Sequence, residues 1–295
     1  MAADTLPEYT IRPMRREEIE ESYELIDKEG WNLTLEKLSH LFKSCPQAFK
    51  VAVTPQGEIV GTISFFPTFD GECVLGNIVV KGTYRHKGMG NQLVDAMKAQ
   101  YPDWVVSLTA VPGADQFYLN VGFHFTEPQQ GHDIFHLIVD RDFLDQKCLK
   151  SGDSATVDLY SSASLDALVA YDTEAKGYTS LPYVTMMVDC FPTLLAKDRA
   201  GRLLGYVAAF IKRSEIVLDT LCADSDEVAC LLLRDILKLF PDNNKLKVQV
   251  PSSRLFLSEL GQVSSSSKYN RYSIGQPTLS PLVKVYNVSD CDYSY

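Results

Sequence analysis

The sequence predicts a mixed α/β fold, a largely antiparallel sheet flanked by helices, built twice in tandem. Three observations lead there. Short β-branched and aromatic runs alternate with helical patterns from the start, a charged stretch divides the chain near its middle, and glycines of the first half recur in the second at a nearly constant offset. At 295 residues, 45% of them apolar, the chain can bury two cores of ordinary domain size.

The elements follow in order. Tyr9 to Arg12 reads as a strand, and Glu17 to Glu29 and Leu33 to Ser44 read as helices, the first opened by acids that favour a helix N-terminus. Phe49 to Thr54, a turn through Pro55 to Glu58, and Ile59 to Phe66 form a hairpin, with a third strand at Glu72 to Val80. A glycine-punctuated loop leads into a helix over Gly88 to Gln100, a strand at Trp104 to Val111, a short helix at Ala114 to Val121 and a strand at Asp133 to Val139. The charged segment Asp140 to Asp153, with Gly152, is the expected linker, which divides the chain into domains 1–145 and 146–295.

Past that linker the layout repeats. Gly57 and Gly61 fall on Gly201 and Gly205 at an offset of 144, Leu75 falls on Leu218 at 143, and Pro112, Phe117 and Gly122 fall on Pro251, Phe256 and Gly261 at 139. Recurrence of strand, turn and helix in any α/β chain is the plainer alternative, but it does not require such steady offsets. A last strand is expected near Leu282 to Tyr286.

Composition excludes several function classes. The net charge of −10 disfavours general affinity for nucleic acid or an anionic membrane and suits an amine or polycation. No apolar run approaches the roughly twenty residues of a membrane span. MAADTLPEYT has neither the basic nor the apolar region of a secretory leader, and seven scattered cysteines at 45, 73, 148, 190, 222, 230 and 291 without a C-x-x-C pair read as reduced thiols. The expectation is a cytoplasmic protein with no metal, no nucleic acid partner and no membrane partner. His132 and His136 have i, i+4 spacing, but along a strand they stand roughly 13 Å apart, too far for one ion.

The chemistry concentrates in Val80 to Asn91, VKGTYRHKGMGN, between a strand and a helix. Between Glu72 and Asp95 the only charged side chains are Lys81, Arg85 and Lys87, with His86 among them, a positive island in an acidic chain. Gly88 and Gly90 free the backbone, and amides at the helix start can converge on a phosphate or pyrophosphate. A solvated basic turn is the plainer reading of an isolated G-x-G. Neither the G-x-x-x-x-G-K-[ST] loop nor the G-x-G-x-x-G dinucleotide fingerprint is present.

Read as V-x-x-x-Y-R-x-K-G-x-G, on Val80, Tyr84, Arg85, Lys87, Gly88 and Gly90, the segment resembles motif A of the GNAT acetyltransferase superfamily. Ala114, Tyr118, Gly122 and Phe123 resemble that family's A-x-x-x-Y-x-x-x-G-F. The resemblance covers Tyr9 to Asp140; more weakly, Tyr171-Asp172-Thr173 and Leu218 to Asp224 resemble the second domain of YitH-like tandem acetyltransferases. It implies that Arg85, His86, Lys87, Gly88, Met89, Gly90 and Asn91 bind the pyrophosphate of acetyl-CoA and that Ile78, Val79 and Val80 pair with its pantetheine arm. It also implies that a backbone amide near Val80 polarises the acetyl carbonyl, with CoA as the product. Val111 stands where many members carry Asn.

Amide formation needs an unprotonated amine and a proton for the departing thiolate. Tyr118 is the expected donor, because a phenol with an ordinary pKa near 10 is protonated at neutral pH and lies close to a thiol's ~8.5. Its plainer reading is a core aromatic. For the base, Glu72, Asp70 and His124 remain open, as does bulk water through an ordered chain.

The second copy passes from Ala223 straight into Asp224, Ser225, Asp226 and Glu227, lacks the phosphate loop, and carries Leu257 in place of Tyr118. It reads as a degenerate domain on the substrate side, with Asp172, Glu174 and Asp219 as acids facing an amine. Two functions follow: an acetyl-CoA-dependent N-acetyltransferase acting on a primary amine of a small molecule or a lysine-like group, or a non-catalytic acyl-CoA-binding or scaffolding protein. Neither the acceptor's identity nor an oligomeric state is written in a short motif.

Overall fold

The computed structural model describes residues 8–69, 71–126, 132–147, 155–177, 181–243, 245–251, 261–278 and 284–287. In chain order the elements are β1 Thr10–Pro13, α1 Ile19–Asp27, α2 Leu35–Ser44, β2 Phe49–Val53, β3 Ile59–Phe69, β4 Glu72–Val80, α3 Met89–Lys98, β5 Val105–Ala110, α4 Asp115–Asn120 and β6 His124–Phe125. They continue with β7 His132–Asp140, α5 Arg141–Lys147, β8 Ala155–Leu159, α6 Leu165–Lys176, α7 Leu181–Cys190, β9 Thr193–Asp198, β10 Leu203–Lys212, β11 Glu215–Ala223, α8 Asp226–Lys238, β12 Lys245–Pro251, β13 Gly261–Ile274 and β14 Val285–Asn287. Two compact units result: Met1–Thr126 with Arg271–Pro277, and Glu127–Asn270 with Thr278–Tyr295.

In the first unit β1, β2, β3 and β4 pair antiparallel in sequence order, β1 joined to β2 through α1 and α2 and the other two pairs closed by short turns. The crossover through α3 then returns the chain so that β5 runs parallel to β4. Helix α3 presents Met89, Leu93, Val94 and Met97 to the sheet, all buried, at helical spacing. Burying one such side chain contributes about 1.5–3 kcal/mol. Thr34 caps α2 by accepting the Lys37 amide at 3.1 Å. β6 pairs with Tyr272 and Ser273, so the last strand of this unit comes from the far end of β13.

The second unit repeats the plan: β8, β9, β10 and β11 are antiparallel neighbours, and α8 leads to β12, parallel to β11. The matched glycines do the same work in both copies. Gly57 and Gly201 take φ +91 and +84 in the hairpin turns. A Cβ on Gly61 would meet Met89 Sδ at 2.9 Å, and one on Gly205 would meet the Cys222 carbonyl oxygen at 2.7 Å and Leu232 at 3.1 Å. Both give room to a crossover helix, and Gly205 also to the backbone of β11 beside it.

Two expectations are corrected. The strand over Asp133 to Val139 pairs with β12 and β13 in the second unit's sheet, a choice made by distant strand edges that local alternation does not record. The charged segment after Asp140 begins as helix α5. Leu144 is fully buried in the second core, and the Arg141 guanidinium donates to the carbonyls of Leu237, Phe240 and Asn243 at 2.7, 3.2 and 2.9 Å. Phe256 and Leu257 lie outside the described residues.

Cys45, Cys73 and Cys222 are free thiols. Burial pushes the Cys73 thiol up to about 12 and the Cys222 thiol up to about 11. At pH 8 both should therefore alkylate at least about a hundredfold more slowly in the native protein than in urea, which peptide mapping after iodoacetamide treatment will measure. Rapid native labelling of either would contradict its packing.

Candidate active site

The site begins with an irregularity in β4. Its pairing with β3 slips by one residue between Thr62–Val79 and Ser64–Gly76, and Asn77 in that slip has φ +51. This is a β-bulge, held by the Ser64 hydroxyl donating to the Gly76 carbonyl at 3.0 Å and by the Asn77 side-chain Nδ2 donating to Ser64 Oγ at 3.4 Å. It re-aims Ile78, Val79 and Val80. β5 pairs with β4 only at Val105–Glu72, Val106–Cys73 and Ser107–Val74. Beyond that point the two strands share no register, and among the described residues no other strand lies between them.

At the open end the chain makes one 3-10 turn over Gly82–Tyr84. Arg85 then folds back, its Nε donating to the Val80 carbonyl at 2.7 Å and its guanidinium pairing with Glu29. Lys81 pairs with Glu58. Lys87, His86 and Asn91 are exposed. His86 at φ +60 and Gly88 at φ +84 turn the chain into α3, whose N-terminus has no side-chain cap. The first bond into the helix runs from the Gln92 amide to the Gly88 carbonyl at 3.1 Å, so the amides of Met89, Gly90 and Asn91 precede any intrahelical acceptor. Donors and dipole thus point outward where the loop is basic, which suits an anion.

Gly90 has a different neighbour from the one its motif suggests. A Cβ there would stand 2.9 Å from Cε2 and 3.2 Å from Cζ of Phe117. That contact docks α4 on the start of α3 and fixes the next residue, Tyr118. Tyr118 is buried among Phe117, Phe123 and Tyr272, with ring centroids 5.1, 5.9 and 6.0 Å away. Tyr272 was missed by local reading because it arrives from the far end of β13. Its hydroxyl donates to Asp115 at 2.6 Å, and burial, then Asp115, push its phenol up.

The other expected site residues are placed as follows. Glu72 opens β4, at the opposite end from the loop, and His124 is exposed on β6. Asp70 lies outside the described residues. In the second unit Asp172 is fully buried, paired with Lys176 at 2.7 Å and accepting from Tyr206. Asp219 is buried and accepts from the Tyr183 hydroxyl at 2.8 Å. Glu174 is exposed and pairs with Lys284 at 2.7 Å. These three acids therefore have cations or phenols of their own fold as partners and do not gather on one open face. His136, on β7, lies beside Tyr269 of β13. Among the described residues no three His, Cys, Asp or Glu side chains are placed to hold a metal, and no helix is long and apolar enough to cross a membrane.

Residues 11–139 match the acetyltransferase (GNAT) domain family. No curated protein sequence matches the chain. Among solved structures, a suspected acetyltransferase of Pyrococcus horikoshii superposes with a TM-score of 0.73 at 15% identity, covering 99% of this chain and 98% of that one. A tandem GNAT protein from the clavulanic acid biosynthesis pathway, solved without AcCoA, has a TM-score of 0.69 at 14% identity over 92% and 100%. A GCN5-related N-acetyltransferase of Sphaerobacter thermophilus has 0.61 at 15% over 93% and 98%. At such identities the likeness establishes the fold: two tandem GNAT-like domains, the first matched by the acetyltransferase family.

Proposed function

We propose that the protein is an acetyl-CoA-dependent N-acetyltransferase, with its reaction in the first unit and a primary amine of a small molecule or a lysine-like group as acceptor. The observation that carries this is the parting of β4 from β5 beyond Val74 and Ser107, which ends at an uncapped helix N-terminus in a loop without acids. The YitH-like resemblance of the second unit and a cytoplasmic location belong to the same reading.

Acetyl-CoA supplies an acetyl group already activated as a thioester. Among this chain's own residues, the backbone of Ile78, Val79 and Val80 offers hydrogen-bonding groups to an extended amide chain, and a backbone amide near Val80 polarises the acetyl carbonyl, as the family resemblance implies. The amides of Met89, Gly90 and Asn91 with Lys87 hold a pyrophosphate. Arg85 holds the loop in place through Val80 and Glu29. Tyr118 delivers the proton to the leaving thiolate. The acceptor enters as the free amine, so turnover rises with pH until that amine is deprotonated.

Thiol release from acetyl-CoA over a panel of amines tests the activity; cofactor binding without thiol release from any amine would leave a binding protein instead. Reversing Arg85 and Lys87 together to Glu should weaken acetyl-CoA binding at least about tenfold, since Lys87→Glu replaces attraction by repulsion at an exposed anion site and Arg85→Glu releases the loop from Val80 and sets a carboxylate against Glu29. Wild-type affinity should fall as salt rises. Titration calorimetry measures both, and an unchanged affinity in the folded double variant would move the cofactor elsewhere.

A further inference from the structure

The second unit has the same parted strands as the first, and there the gap is filled. β11 and β12 pair in parallel only at Ile216–Leu246 and Val217–Lys247. Beyond them β14 lies antiparallel to β11, with Leu221 opposite Asn287 and Cys222 opposite Val285, and the Ala223 amide donates to the Lys284 carbonyl at 2.9 Å. Asn287 bridges both sides. Its Nδ2 donates to the β11 carbonyls of Leu218 and Asp219 at 3.1 and 3.0 Å, and its Oδ1 accepts the β12 amide of Gln249 at 2.8 Å. Val285, Tyr286 and Asn287 are all buried.

The end that would face a pyrophosphate is rebuilt as well. Asp226 and Glu227 stand in the first turn of α8, and Ser225 caps it by accepting the Val228 amide at 3.4 Å. Tyr286 donates its hydroxyl to Asp226 at 2.6 Å. Lys284 pairs with Asp224 at 2.9 Å and Glu174 at 2.7 Å, 4.9 Å from the centre of the Tyr171 ring. A cation and a phenol on an extended peptide thus satisfy carboxylates at the place where, in the first unit, open amides and Lys87 await an anion.

We propose that the second unit is a strand-binding module: its β11–β12 cleft takes an extended peptide in place of an acyl-CoA arm, and the chain's own segment Lys284–Asn287 is its resident ligand. The peptide is recognised by backbone pairing to β11, by a carboxamide that spans both strands, and by a Lys and a Tyr directed to acids. While this segment is seated, one acyl-CoA binds per chain. That last point rests on the proposed function; the strand itself does not.

Asn287→Ala in the full chain tests it. The variant should exchange the Ala223 and Gln249 amide hydrogens about tenfold faster or more, because their acceptors belong to the loosened segment. A fluorescent peptide of residues 278–295 should bind the variant at least about tenfold more tightly than the wild type, whose cleft is filled. Lys284→Ala, at the less buried end of the segment, gives the same readouts if Asn287→Ala does not fold. Unchanged exchange, equal peptide capture by variant and wild type, or two equivalents of acetyl-CoA per wild-type chain by calorimetry would each overturn the proposal. A chain that binds no acetyl-CoA at all would sink the proposed function instead, with exchange and peptide capture still deciding the strand.

Discussion

Tyr118→Phe should lower turnover by about 10²-fold or more, with acetyl-CoA affinity nearly unchanged. The substitution keeps the ring that packs among Phe117, Phe123 and Tyr272 and removes only the hydroxyl, so the loss measures proton donation rather than packing. Initial rates of thiol release, with affinity from calorimetry, separate the two. Tyr272→Phe is the internal control: its hydroxyl is committed to Asp115, so its removal should cost turnover much less than the loss at Tyr118. Near-normal turnover in Tyr118→Phe would reassign that residue to packing, and lost affinity alone would make it a cofactor contact.

Much of this site was legible locally. The hairpin, the glycine loop and the helix after it obey rules of a few residues, and their predicted bounds differ from β2, β3, β4 and α3 by a few residues at most. The bulge had a signal that went unused, a Gly76-Asn77 pair inside an otherwise apolar strand, residue types that tolerate positive φ. What escaped local reading was long-range. Nothing in Asp133 to Val139 states that its edge belongs to the second sheet, and nothing in Val285 to Asn287 distinguishes a strand at a sheet edge from one inserted between parted neighbours. The pair Asp172 and Lys176, at i and i+4 on α6, did hint that the acid has a partner of its own. Its complete burial depends on tertiary packing.

Gly90→Val should weaken acetyl-CoA binding by about tenfold to a hundredfold or more, and two physical reasons for the glycine can be told apart. One is close approach of the backbone to a pyrophosphate. The other is visible in the fold: a Cβ would stand 2.9 Å from the Phe117 ring, and valine adds two γ-methyls to that crowding. Overpacking of this kind costs roughly 1–3 kcal/mol and is relieved by moving α4, which carries Tyr118, so turnover should fall further than affinity. Adding Phe117→Ala to Gly90→Val removes the ring and restores room. If packing is the reason, the double variant regains much of the lost affinity and the coupling between the two sites is strong. If the ligand's approach is the reason, Phe117→Ala recovers nothing, because the new side chain still stands between the amides and the phosphate. Unchanged affinity in a folded Gly90→Val would place the anion away from the start of α3 and remove the basis for reading this unit as an acetyltransferase.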